Sequence, residues 1–265
     1  MDNRSVGIFD SGLGGLTAFS ALRERLPDEN LIYFGDSGRA PYGGRPEEQL
    51  RRMARQNLAF MQQQDVKAVL VACGTLSSIA RDILAESSIK AVGVIDATVL
   101  AASRLAGSAP IGIIATAASI RSGTFEARMR ELCPKNRILP VACPDFVTLI
   151  EGGHIQADDP AVREAVQRYL QPIKDAGAGT LILGCTHYGI LSQAITDYLG
   201  LEVELVEASR CAAEDIADYL EGYHLCGSDG REEFYTSGSA GEFSALGSLL
   251  TGRPVDARHI PPQEA

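Results

Sequence analysis

Two cysteines in similar surroundings offer the first chemistry in this chain. Cys73 closes the run Val69-Leu70-Val71-Ala72 and is followed by Gly74-Thr75. Cys185 closes Leu181-Ile182-Leu183-Gly184 and is followed by Thr186-His187. Each stands where an apolar strand gives way to a helix. The amides at a helix start and the helix macrodipole favour negative charge there, so a lowered thiol pKa is expected at both positions. Two such thiols suit a reaction that needs a base and an acid on opposite faces of one carbon. Inversion of stereochemistry beside a carboxylate is that reaction: one thiolate removes the α-proton and the other thiol delivers a proton from the far side. Free cysteines are more often inert core residues. Cys133, which lacks the matched surroundings, is assigned packing only.

The polar neighbours extend this reading. Asp10 ends an apolar run in Phe9-Asp10-Ser11-Gly12-Leu13-Gly14-Gly15, and His187 follows Cys185 by two. A carboxylate or imidazole within hydrogen-bond reach of a thiol can take or hold its proton. The plain alternatives are a helix N-cap for Asp10 and a core or capping role for His187. His154 and His224 lie in loop-like stretches without such context. The glycine turn lacks both the third glycine of a dinucleotide fingerprint and a Walker lysine, so a turn whose N–H groups cradle a carboxylate fits better than a phosphate site. Pro41-Tyr42-Gly43-Gly44 offers a second such turn, or simple loop punctuation. Cys185-x-His187, even with Cys73 added, is not a zinc spacing, and no metal is expected.

These residues need a scaffold. Short β-branched runs alternate with helical patterns, as in parallel βαβ units. Strands are expected near Val6–Phe9, Leu31–Phe34, Ala68–Ala72, Ala91–Ile95, Ile111–Ala115, Ile138–Ala142, Leu181–Gly184, Val203–Val206 and Phe234–Thr236. Helices are expected near Leu16–Leu26, Pro46–Gln64, Leu76–Ala85, Thr98–Ala106, Thr124–Leu132, Ala161–Ala176, Ile190–Leu199, Cys211–Tyr219 and Ser244–Leu250. The likeness of the two cysteine segments, with a weaker echo between Ile8–Gly12 and Ile114–Ser119, suggests two similar halves. Ligands gather at the carboxyl ends of strands in open α/β sheets, so facing halves bring Cys73 and Cys185 to opposite walls of one cleft.

Composition narrows the partners. The chain has 265 residues, 45% hydrophobic and 22% charged, a balance that fills a globular core and argues against disorder or coiled coil. No apolar stretch approaches the ~20 residues of a membrane span, and MDNRSVGIFD has no signal-peptide core, so a cytoplasmic protein is expected. The net charge is −10, with 11 of the 34 acidic and only 4 of the 24 basic residues beyond position 206. Without a basic stripe, nucleic acid is a poor partner. The six cysteines contain no C-x-x-C pair and should be thiols in a reducing compartment.

With these residues assembled, the chain resembles the glutamate racemases of the aspartate/glutamate racemase family. Gly7-Ile8-Phe9-Asp10-Ser11-Gly12-Leu13-Gly14-Gly15, Tyr33-Phe34-Gly35-Asp36, Pro41-Tyr42-Gly43, Ala72-Cys73-x-Thr75, Ala115-Thr116, Cys143-Pro144-x-Phe146-Val147, Glu151-Gly152 and Leu183-Gly184-Cys185-Thr186-His187-Tyr188 carry the likeness nearly end to end. The resemblance implies an α/β fold of two similar domains, each a mostly parallel sheet flanked by helices, with the active site in the cleft between them. It divides the chain into 1–96 plus 207–265 and 97–206. It implies Cys73 acting on D-glutamate and Cys185 on L-glutamate, without a cofactor, with Asp10 and His187 assisting and Glu151 near His187. Ser11, Pro41, Tyr42, Gly43, Gly74, Thr75, Thr116, Ser119 and Thr186 fall where the family contacts substrate. D-Glutamate for peptidoglycan and a homodimer as a further assembly to test also follow from the family.

Gly74 replaces the family's usual Asn, which removes one amide from the substrate site. Glu207-Ala208-Ser209 replaces its Asp-Ser/Thr-Gly, and Ser119 replaces a Thr. The sequence begins just ahead of the first strand, so activation through an N-terminal extension is not expected. Two other readings stay open: a racemase of aspartate or another small amino acid, motivated by Gly74, and a non-catalytic amino-acid-binding protein.

Overall fold

The computed structural model describes residues 1–261. Among the described residues, ten strands and twelve α-helices follow one another along the chain. The strands are β1 (Val6–Asp10), β2 (Leu31–Gly35), β3 (Ala68–Val71), β4 (Lys90–Gly93), β5 (Ile111–Ala115), β6 (Ile138–Ala142), β7 (Thr180–Leu183), β8 (Glu204–Glu207), β9 (Glu232–Thr236) and β10 (Ala257–His259). The helices are α1 (Leu16–Arg25), α2 (Glu47–Gln63), α3 (Gly74–Ile79), α4 (Arg81–Ala85), α5 (Val94–Leu105), α6 (Ala117–Ser122), α7 (Thr124–Leu132), α8 (Pro144–Glu151), α9 (Pro160–Asp175), α10 (Ser192–Leu199), α11 (Ala208–Gly222) and α12 (Ala240–Thr251).

Two parallel sheets result, as the α/β reading requires. The larger runs β10-β9-β2-β1-β3-β4 and the smaller β6-β5-β7-β8. The order β2-β1-β3-β4 is repeated by β6-β5-β7-β8, so β1 corresponds to β5 and β3 to β7. In both sheets the strand order reverses beside the strand that starts the unit, and the crevice at such a switch point is where α/β sheets bind ligands. Asp10 and Cys73 stand at the ends of β1 and β3; Thr116 and Cys185 stand at the ends of β5 and β7.

Period-two alternation sends side chains to two faces of each sheet. Val6, Ile8, Leu31, Tyr33, Ala68 and Leu70 share one core with Ile111, Ile113, Ile182 and Val206, filled in by α1, α5 and α11. That core joins the two sheets. Phe9, Ile32, Phe34, Val69 and Val71 face α2 on the other side of the larger sheet. Ile114, Leu181 and Leu183 face α8, α9 and α10.

Several local expectations need correction, among them the strand read to Ile95, which ends at Gly93 where α5 begins. The helix read over Leu76–Ala85 is broken at Ala80 into α3 and α4. Ser78 Oγ turns back onto the Gly74 carbonyl, four residues earlier, at 2.7 Å, the kind of bond that bends helices, while Ser77 Oγ reaches out of the helix to Val71 at 3.1 Å. α6, α8 and β10 were not anticipated. α6 is only six residues and too short to show a period, and β10 is a three-residue edge strand. α8 starts at Pro144, the favoured first-turn position for proline.

Candidate active site

The ends of β1, β3, β5 and β7 meet at a cavity of about 410 Å³. Asp10, Ser11, Pro41, Tyr42, Gly43, Cys73, Gly74, Thr75, Thr116, Glu151, Cys185, Thr186 and His187 all line it. Ser119 does not. It is buried one layer behind, its hydroxyl 3.0 Å from that of Thr116. Thr116 is the N-cap of α6, and its Oγ1 lies 2.9 Å from Thr75 Oγ1 on the larger sheet's side. Cys133 packs in the shared core, away from the cavity.

The Asp10 carboxylate accepts the amides of Gly15 at 2.8 Å and Gly12 at 3.4 Å. It therefore performs part of a cap's work at the start of α1 while still facing the cavity. Burial raises its pKa, opposed by the charge of His187 and by the amides of Gly15, Ser11 and Gly12. Gly15 leaves no room for a side chain, because a Cβ would lie 2.6 Å from that of Asp10. The neighbouring Tyr33 donates its hydroxyl to the Gly12 carbonyl at 2.8 Å and pins the turn from below.

Cys185 and His187 form the opposite wall. Cys185 Sγ is 3.8 Å from His187 Nδ1, and His187 Nε2 is 3.1 Å from Glu151 Oε1. Burial works against charge on the imidazole. The hydrogen bonds to Cys185 and Glu151 outweigh it and, with the charges of Cys185 and Asp10, raise the His187 pKa to about 10. The ring lies directly on Gly14, where any Cβ would overlap it. Thr17 Oγ1 ties the two walls together: it lies 2.8 Å from the Gly14 carbonyl, 3.0 Å from that of Thr186 and 2.6 Å from Ser209 Oγ.

For Cys73 the expected lowering of the pKa is overturned. Burial pushes the thiol well up and the charge of Asp10 adds to this; the Leu76 amide and Ser11 only partly oppose it. At neutral pH Cys73 therefore holds its proton and His187 carries charge. The two walls are chemically different: a protonated thiol beside a buried carboxylate, and a sulfur beside an imidazolium.

Several lining residues were not anticipated, among them Ala40, Ala117, Pro144, Val147, Thr148 and Tyr188. Pro144, Val147, Thr148 and Glu151 are spaced i, i+3, i+4, i+7 on α8, and that helical stripe was the signal available. Tyr42 is anchored by its hydroxyl on the Asp36 carboxylate, which also binds Arg39 and accepts from Ser237 Oγ at 2.6 Å. Among the described residues no three His, Cys, Asp or Glu side chains are grouped to hold a metal, and no helix is long and apolar enough to cross a membrane.

Known proteins are similar to this chain in sequence and fold. The family described as Asp/Glu/Hydantoin racemase matches residues 17–216. A glutamate racemase from Thermoanaerobacter pseudethanolicus is 36% identical over 258 residues, covering 97% of this chain and 96% of that protein. The crystal structure of a glutamate racemase isoform from Bacillus anthracis superposes with a TM-score of 0.92 at 30% identity, covering 98% of both chains. A glutamate racemase from Francisella tularensis, crystallised in complex with D-glutamate, gives a TM-score of 0.90 at 32% identity, again over 98% of both.

Proposed function

This chain belongs to the Asp/Glu/hydantoin racemase family, and from that premise we propose that it interconverts L- and D-glutamate by two-base proton transfer, without cofactor or metal. One observation carries the reading: two thiols at the ends of strands from different sheets line the same cavity, and each has its own acid–base neighbour. In the L-to-D direction the Cys185 sulfur, as thiolate, takes the α-proton. The Cys73 thiol then gives its proton to the opposite face of the same carbon. In the reverse direction the two exchange roles.

His187, charged at neutral pH, stabilises negative charge at the Cys185 sulfur, and Glu151 fixes the imidazole through its other nitrogen. Asp10 acts differently on Cys73: its charge keeps that thiol protonated for delivery in the L-to-D direction, and in the reverse direction the carboxylate is the neighbouring base that takes the thiol's proton. Ser11, Thr75, Thr116 and Thr186 supply hydroxyls for the amino and carboxylate groups, with Pro41, Tyr42, Gly43 and Gly74 shaping the wall. Glutamate is favoured as substrate because full-length relatives at 34–36% identity are glutamate racemases. The product serves peptidoglycan assembly in the cytoplasm, and neither nucleic acid nor membrane takes part. The membership of the two sheets supports dividing the chain near 1–96 plus 207–265 and 97–206, with position 96 falling inside α5 and Glu207 closing β8 of the smaller sheet.

The test is incubation with L-glutamate in D₂O without added cofactor. D-Glutamate deuterated at Cα is the expected product, followed by NMR and by chiral chromatography. Exchange of L-aspartate alone would shift the assignment to that substrate. Label in neither would remove the racemase reading and leave a binding protein.

A further inference from the structure

The imidazole of His187 has to meet Cys185 through one nitrogen and Glu151 through the other, and neither contact holds the ring firmly. Cys185 Sγ is 3.8 Å from Nδ1, a long reach even for sulfur. Glu151 is the last residue of α8, just ahead of Gly152 and Gly153, and a third of its side chain is exposed. The backbone that carries the ring is a short 3₁₀ turn, Thr186–Leu191, with no side-chain cap at its start. Hydrogen bonds inside such turns are poorly aligned. The ring therefore needs a hold from outside its own segment.

Thr17, in the first turn of α1, supplies one from the larger sheet's side. Its Oγ1 lies 2.8 Å from the Gly14 carbonyl, 3.0 Å from the Thr186 carbonyl and 2.6 Å from Ser209 Oγ. Carbonyl oxygens only accept. The two carbonyls thus share the single Thr17 hydrogen, which leaves the Ser209 hydroxyl as the donor to Thr17. Both carbonyls bear directly on the imidazole: Gly14 is the residue on which the ring lies, and the Thr186 carbonyl belongs to the peptide that leads into His187. Gly14 is itself held in place. The amides of Gly12 and Gly15 are bound to the Asp10 carboxylate, and the Gly12 carbonyl accepts the Tyr33 hydroxyl. Thr17 does not line the cavity, so it touches no substrate.

We propose that Thr17 is a positioning residue for His187, its hydroxyl fixing the Thr186–His187 peptide over Gly14 so that the imidazole reaches Cys185 and Glu151 together. The inference rests on the two-thiol reaction proposed above and adds to it the group that orients the imidazole. Without that hydrogen bond the 3₁₀ turn can slide across Gly14. The long contact to sulfur has the least to spare and is lost first. Burial then weighs more heavily against charge on the ring, whose ionisable neighbours are Cys185, Glu151 and Asp10.

Thr17→Val, Thr17→Ala and Thr17→Ser test this in the full chain. Valine keeps the shape of threonine and removes the hydrogen, so kcat should fall by about five- to tenfold in both directions. KM should change by less than about threefold, and Thr17→Ser should restore kcat to within about twofold. NMR titration of the His187 ring gives a readout that needs no turnover. The chain has four histidines, and the His187 signal is identified by its loss in His187→Asn. Its midpoint should drop from about 10 toward 6.5, by about half a pH unit or more, in Thr17→Val, and return in Thr17→Ser. An unmoved midpoint in folded Thr17→Val, undiminished kcat, or a loss that serine does not repair would each overturn the proposal. Should Thr17→Val not fold, Thr17→Ala is judged by the same three results. An unmodified chain that fails to racemise glutamate would refute the reaction itself, while the titration would still report whether Thr17 orients the ring.

Discussion

At the scale of single residues, the site is an asymmetric pair. Cys73→Ala leaves one face of the substrate carbon without a proton carrier, so kcat should fall by about 10²–10⁴-fold while the protein stays folded. Cys133→Ala, a change in the shared core, should leave turnover within about twofold of wild type; polarimetry on both variants checks the pair. The imidazole of His187 adds a pH signature. Its folded pKa of about 10 lies above its ordinary 6.5. The charged form is thus favoured by folding, and its contribution to stability is complete below pH 6.5 and lost as pH rises through about 10. Thermal unfolding should show Tm falling over that interval, and His187→Asn should flatten the fall. The identities of these residues were legible in the sequence because each sits at a strand end in a matched motif. The protonation of Cys73 was not. It depends on burial and on the charge of Asp10, a residue 63 positions away in the chain that only the fold brings near.

At the scale of elements, legibility followed length and regularity. β5, β6 and α7 fall where the residue pattern puts them, because their apolar runs are bounded by clear breaks. α8 was missed although it carries Glu151 and three further lining residues. Its eight residues make barely two turns, and the Cys143-Pro144 step reads as loop punctuation as readily as a helix start. The break at Ala80 was invisible for another reason. Beside it Ser78 bonds back to the Gly74 carbonyl four residues earlier, a choice of geometry that composition does not fix. Ser119 shows the same limit: the family resemblance marked it as a substrate contact, yet the turn of α6 sends its hydroxyl to Thr116.

At the scale of the whole molecule, the larger sheet is closed by chain segments far apart in sequence. Lys67 Nζ, fully buried, lies 2.8 Å from Glu29 Oε1 and 2.6 Å from the carbonyls of both Asp2 and Leu225. Glu29 in turn accepts the amides of Asn30 and Gly227, each at 2.8 Å. One ammonium thus clasps the N-terminal segment, the turn before β2 and the approach to β9. Lys67→Met strands the Glu29 charge without its partner, and loss of one member of a buried pair costs about 3–5 kcal/mol. Urea unfolding should show a loss of that size, with KM for glutamate little changed because the clasp lies away from the cavity. No motif marked this feature, since a lone lysine before an apolar strand looks like surface.

The strand order carries a further consequence for how the polypeptide is made. β2 pairs with β9 along five residues, from Leu31 with Glu232 to Gly35 with Thr236. During synthesis the first four strands leave the ribosome long before residue 232 is translated. For all that time the β2 edge is an open row of N–H and C=O groups, the kind of template that invites pairing with another nascent chain. The smaller sheet, whose strands all come from one continuous stretch, needs no such wait and can form while the C-terminal segment is still in the exit tunnel. Sealing of the larger sheet is thus a late event in synthesis, because the strand that covers the β2 edge is made about two hundred residues after β2 itself.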